Sequence, residues 1–337
     1  MHNHNTADIR KKIYAFLPYL ILIVVWAAMP AFVSTRFWLN VFMLVFVRTI
    51  GAVSLRTVWL AGVPSFAQSA FVGVGAYTAG VLAINFGWPA YVTIPLGGVA
   101  AMIIGVLTGL PFVRLKSVYY VMASMFLGIA IIYVFSSMQV TGAIIGLSGI
   151  PGFLPNIHAY YYFFLILAVV SCICMYRFEH SRLGMTLRAI AQSEDAAGAM
   201  GVSKVYFKGL AFGFGYFFAG IAGASFALYN GSASPKEFGI LATLWFLMYV
   251  LVGGQDKFIG PIIGTIILVI LPQASRVVGE WAPIVTSIAM IVIAYLLIGG
   301  LASIPERIKN AGFRKRQWSG RDGKNGKDAK DGPGVDS

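Results

Sequence analysis

Ten apolar stretches, each 14 to 22 residues long, occupy most of this chain: 13–33, 37–55, 66–86, 91–112, 118–138, 159–176, 209–229, 240–253, 259–272 and 283–301. A helix needs about 20 apolar residues to cross the hydrocarbon core of a bilayer. Backbone polar groups in lipid must also be satisfied within the protein. The pattern therefore points to one fold class, an all-α polytopic membrane protein with a bundle of about 8–10 transmembrane helices. The count has a range because the eighth and ninth stretches are short and glycine-rich, which suits tilted, broken or re-entrant segments. Charge agrees: 11% of the residues are charged, against about 25% in soluble domains. The net charge of +13 sits in loops and tails beside apolar spans, so it does not indicate nucleic acid.

The chain divides into a tail at 1–12, a membrane region at 13–301 and a basic tail at 302–337. Arg10, Lys11 and Lys12 precede the first span. Its 21 residues and the lack of a clear A-x-A site favour a retained helix over a cleaved signal. Lysine and arginine concentrate on the cytoplasmic side of membrane proteins. With ten spans and the N-terminus inside, three of the 25 basic residues face outward, namely Arg36, Lys236 and Arg276, and Arg48 falls within a span. The remaining 21 face the cytoplasm, which places both termini and the loop at 177–208 inside. Aromatics at span edges, such as Trp38, Trp88, Tyr160 and Trp281, read as interface belts. The G-x-x-x-G matches at 105–109 and 260–264 suit close helix packing. Cys172 and Cys174 point roughly 200° apart on a helix and are read as core residues. His2 and His4 lie in a polar tail and are not read as metal ligands. Arg307, Lys309 and Arg314–Arg316 form a juxtamembrane topology anchor, and 319–337 has a disordered composition.

The loop at 177–208 is the longest charged interruption before the tail. Ser193 suits a helix N-cap. Glu194 and Asp195 follow in the first turn, where acids favour the positive end of the helix dipole. Gly201 suits the left-handed residue that ends a helix. A helix is therefore expected at 194–200. Alone it is too short to be stable in water, so a surface outside the loop is expected to hold it.

Three other places are candidates for a solute path or an interface. Arg48 lies near the middle of the second span, where a charge usually faces protein or water, although a shifted span would let it snorkel to an edge. Residues 61–80 interrupt the apolar pattern with Pro64, Ser65, Gln68 and Ser69, and also carry Tyr77. An ordinary cytoplasmic turn is the slightly preferred reading of that interruption, and a half-helix at membrane depth is the other. Residues 141–152, beginning with Thr141 and Gly142, form an uncharged glycine-rich outside loop, either a cap over an entry or a plain connector. The chain has no G-x-x-x-x-G-K-[ST], H-E-x-x-H or G-x-S-x-G, so it is not read as an enzyme. A secondary transporter stays open, although no acid lies firmly inside a span.

Five stretches, taken in order, carry a family resemblance. R-A-I-x3-E-x-A-A-x3-G at Arg188–Gly201 resembles the cytoplasmic signature of branched-chain amino acid ABC importer permeases, in particular their M-type subunit. AFVGVGAYTAG at 70–80, TGAIIGLSGIP at 141–151, GLAFGFGYFFAGIAGASFA at 209–227 and VLVGGQDKFIGPIIGTIILVILPQ at 250–273 are similar to further blocks of that family. The chain departs from the family pattern at Gln68, at Ala143 and Ile144, and at Asp256 and Lys257. These positions bear on the substrate more than on the architecture, and related importers also carry urea, short amides or other amino acids. The resemblance implies a multi-pass inner-membrane subunit without a cofactor of its own. Its partners would be a second permease, two cytoplasmic ATPase subunits that bind ATP, and an extracytoplasmic solute-binding protein. It implies that Arg188, Glu194, Ala196, Ala197 and Gly201 couple the chain to the ATPase. Arg48, Gln68, Tyr77, Thr141 and Gly142 remain the path or interface candidates.

Overall fold

Eight long helices and two short ones follow one another in the computed structural model, which describes residues 35–281 apart from Lys116 and a few isolated positions on either side. The spans expected at 13–33 and 283–301 fall almost wholly outside the described residues, and the tails wholly so. We label the helices α1 (Arg36–Trp59), α2 (Gln68–Phe86), α3 (Ala90–Phe112), α4 (Ser117–Ser137), α5 (Ile157–Glu179), α6 (Arg182–Gln192), α7 (Glu194–Ala199), α8 (Lys204–Asn230), α9 (Ile240–Gly253) and α10 (Ile259–Ser275). Among the described residues, seven of the helical segments are long and apolar enough to cross a membrane, counting α9 together with the 3-10 turn Pro235–Phe238 that leads into it. α10 is shorter but also apolar. The all-α polytopic architecture is therefore present, with boundaries close to the apolar stretches of the sequence.

Glycine sets how the bundle packs. α8 is the central element and lies against α1, α2 and α3. A Cβ on Gly75 of α2 would overlap the Gly220 carbonyl of α8, one on Gly220 would lie 2.5 Å from the Gly97 carbonyl, and one on Gly97 would lie 2.8 Å from the Gly75 carbonyl. Three helices thus meet backbone to backbone, where any side chain would push them apart. The two G-x-x-x-G stretches work the same way within the chain. Gly105 and Gly109 seat Tyr216 and Phe212 of α8, while Gly260 and Gly264 seat the backbone of α9. Close approach increases dispersion contact where lipid removes the hydrophobic drive for helix association. α4 is mostly exposed and touches the bundle lightly. Cys172 and Cys174 are both free thiols.

One end of the bundle gathers the end of α1, the end of α5, α6, α7, the start of α8 and the turn between α9 and α10; we refer to it as the charged face. The interruption at 61–67 begins there but does not stay there. Gln68 donates to the Gly51 carbonyl at 3.0 Å and to Ser54 Oγ at 2.5 Å. These residues lie eight and five positions before the end of α1, or about 8–12 Å deeper at 1.5 Å per residue. α2 therefore starts inside the bundle, and the preferred reading of a surface turn gives way to a re-entrant one. The backbone at that depth is satisfied by side chains. Phe66 N–H donates to Ser124 Oγ at 3.0 Å, and Tyr216 donates to Ser65 Oγ at 2.8 Å. This is the condition under which irregular backbone is tolerated in a membrane. α9 also starts at depth: its leading turn meets Ser69, whose hydroxyl donates to the Phe238 and Gly239 carbonyls at 2.8 and 2.9 Å.

At the opposite face, residues 139–150 are not a plain connector. Leu147–Ser148 (β1) pairs antiparallel with Ser232–Ala233 (β2), Leu147 opposite Ala233. Ile150 N–H adds a bond to the Gly231 carbonyl at 3.0 Å. The loop is thereby clipped to the end of α8.

Candidate functional site

The charged face is built around Glu179, the last residue of α5, which is buried. A lone buried carboxylate is strongly disfavoured, so partners must surround it. Arg56, in the last turn of α1, reaches it with both terminal nitrogens, one of them 2.9 Å from Oε1, and Arg188 of α6 pairs with the same Oε1. The Arg56 Nε donates to the Gln255 carbonyl at 3.0 Å and its Nη2 to the Asp256 carbonyl at 3.3 Å, while its guanidinium lies 5.7 Å from the Phe258 ring centre. One arginine and one glutamate thus join α1, α5, α6 and the α9–α10 turn. Asp256 contributes its backbone oxygen to this joint.

α6 and α7 extend from that joint. Ser181 caps α6, its hydroxyl accepting from Gly184 N–H. The buried residues Gly184, Leu187 and Ile190 form one side of α6, Met185 is exposed on the other, and Arg188 lies at the flank, half-exposed, where it reaches Glu179. Ser193 caps α7 by accepting from Ala196 N–H at 3.2 Å. The expected helix at 194–200 is thus present over 194–199. Gly201 has φ +79°, a left-handed conformation with open space around its Cα, so it turns the chain back into α8 where a side chain would add strain. Ala197 faces inward and Ala196 faces outward; Met200, at the end of the helix, is 80% exposed. Glu194 folds back onto α8, accepting from Lys204 at 3.0 Å and Lys208 at 2.6 Å. Partial burial works to raise its carboxyl, but the hydrogen bonds and charges of Lys208 and Lys204 outweigh this and lower it below the ordinary 4.5.

The five candidates for a path or interface separate in the structure. Arg48 projects from α1 into a cavity, its guanidinium 5.4 Å from the centre of the Phe246 ring. Gln68 is buried against Gly51 and Ser54 of α1, and its Oε1 has no hydrogen-bond partner among the described residues. Tyr77 is buried with its ring 4.4 Å from that of Phe135, and its hydroxyl is likewise unpartnered. Thr141 instead caps the end of α4, donating to the Phe135 and Met138 carbonyls at 2.5 and 2.8 Å, and Gly142 turns left-handed after it. Arg56 carries no local mark in the sequence, because 123 residues separate it from Glu179. The only available signal was an arginine in the last turn of a span. Among the described residues, no group of three His, Cys, Asp or Glu side chains is placed to hold a metal.

Comparison with known proteins gives one family. The family described as "Branched-chain amino acid transport system / permease component" matches residues 37–301. The high-affinity branched-chain amino acid transport system permease protein LivM of Escherichia coli (strain K12) is 25% identical, the match covering 82% of this chain and 71% of that protein. The LivM protein of Salmonella typhimurium (strain LT2) is 24% identical over the same shares. No solved structure matches the chain.

Proposed function

Since the chain belongs to the branched-chain amino acid transport permease family, we propose that it is the membrane-spanning permease subunit of an ATP-driven importer for branched-chain or other hydrophobic amino acids. The chain carries no P-loop, so ATP is bound and hydrolysed on two partner ATPase subunits, and this chain itself performs no catalysis. A second permease completes the membrane part, and an extracytoplasmic binding protein delivers the solute. The charged face, with both termini, lies in the cytoplasm of a cell whose inner membrane holds the protein.

The observation that carries this reading is the form of α6 and α7. α6 is fastened to the bundle through Arg188, Glu179 and Arg56, and α7 through Glu194 to Lys204 and Lys208. Their outer side presents Met185, Ala196 and Met200 to solvent. An ATPase groove that takes this outer surface would push directly on the ends of α1 and α5 and on the α9–α10 turn. Closure of the ATPases then becomes a rigid-body change in the bundle. Gly201 turns the chain from α7 back into α8. At the opposite face, Ile144 and Ile145 are exposed on the clipped loop, which suits contact with a delivery protein.

The test is uptake of radiolabelled leucine by proteoliposomes containing the complete transporter. Uptake that requires ATP and all subunits is expected. Uptake by the purified chain alone, driven by a proton gradient, would overturn the ATP-driven reading in favour of a secondary carrier. ATP-driven uptake of urea or a short amide without leucine would correct the substrate.

A further inference from the structure

A cavity of about 570 Å³ lies among α1, α2, α5, α8 and the turn before α9, within the range of about 300–1,000 Å³ usual for small-molecule sites. Asn40, Asn230 and Glu237 are exposed at its mouth, on the face opposite the charged one. Arg48, Ser69 and Phe246 line it further in. Two charges of opposite sign thus face one cavity. Neither Arg48 nor Glu237 has a side-chain hydrogen bond or an ion pair among the described residues, and the ring of Phe246 is the aromatic face beside the guanidinium. Elsewhere in the described chain, Arg56, Glu179, Arg188 and Glu194 all have ion-pair partners. A charge inside a span marks a function more often than a structural need.

We propose that this cavity is a substrate subsite that clamps an amino acid zwitterion by its two backbone charges. Arg48 takes the carboxylate, for which a guanidinium offers a planar two-pronged fit. Glu237 takes the ammonium. Val72, Phe226 and Phe246 supply the apolar wall for the side chain. α9 begins three residues after Glu237, so the positive end of its dipole adds to the attraction for the carboxylate. The arrangement selects for the α-amino acid group and is tolerant of the side chain, because the apolar wall is broad and the charged pair is specific. This assignment rests on the importer reading and adds to it where the solute sits.

The test uses the complete transporter in proteoliposomes, with tritiated leucine, ATP and saturating binding protein. Arg48→Gln and Glu237→Gln are each expected to lower uptake at least tenfold, with Arg48→Lys and Glu237→Asp recovering part of the rate. Subunits copurifying in normal amounts show that the variants assemble. Glu237 is exposed at the mouth, so Glu237→Gln decides the question if Arg48→Gln fails to assemble. Glutamine variants within twofold of the wild-type rate, or lysine and aspartate variants no better than glutamine, would overturn the clamp while leaving the importer reading intact. A wild-type complex that moves no leucine would overturn both.

Discussion

Two clusters of charge hold the segment between α5 and α8, and they are built on different terms. The Glu179 side chain is 3% exposed and that of Arg56 is 4%, whereas the Glu194 side chain is 40% exposed. Removing one partner of a buried pair leaves a charge stranded, at about 3–5 kcal/mol. The Glu194–Lys204 pair, with side chains 40% and 44% exposed, is of the kind worth about 0–1 kcal/mol, and Lys208, 8% exposed, is the buried partner on that side. The root of α6 is therefore a fixed joint and α7 is lightly tethered. This gradient suits the proposed transmission role, in which the base moves with the bundle while the tip meets a partner.

The largest effect that would break the contrast is expected at the joint. Glu179→Ala should destabilise the folded chain by about 3–5 kcal/mol, read as a fall in thermal stability in detergent and in the amount of protein in the membrane. A loss below about 1 kcal/mol would erase the distinction between the clusters. Gly201→Asp comes next. It places a side chain at φ +79°, at about 1–2 kcal/mol locally, and sets a carboxylate beside the proposed docking surface. It should reduce uptake and ATPase binding while leaving membrane insertion intact, as measured by uptake and copurification at equal expression. Glu194→Gln should lower thermal stability less than Glu179→Ala does, because the glutamine carbonyl still accepts from the buried Lys208 ammonium, whereas Glu194→Lys, which sets a third cation beside Lys204 and Lys208, should impair ATPase docking. The smallest effect is that of pH. Because the Glu194 carboxyl is lowered in the folded protein, its tether is fully present above the ordinary 4.5 and is lost only as pH falls through the lowered value. Hydrogen exchange at α7 should therefore be unchanged, once corrected for intrinsic rates, from neutral pH down to about 4.5, and protection should fall below it.

The spans, the α7 helix and its Ser193 cap could be read in the sequence because each depends on residues close together in the chain. Apolar length sets a span, and a serine followed by two acids sets a helix start. The joint could not be read in this way. Arg56 and Glu179 each look like ordinary loop-edge charges until tertiary packing brings them together. The re-entrant start of α2 could not be chosen over a surface turn, which Pro64, Ser65 and Gln68 suit slightly better. Their depth is set by Ser124 and Tyr216, which lie on other helices. Arg48 was visible as an intramembrane charge, but Glu237 lies in a turn between spans and nothing local connects it to Arg48.

The most direct measurement places a photo-crosslinking residue at Met200, the exposed tip of α7, in membranes containing the complete transporter. An adduct with an ATPase subunit is expected, lost when those subunits are omitted. Labelling of the same position by a membrane-impermeant reagent from outside intact cells, or no ATPase adduct in an actively transporting preparation, would contradict it.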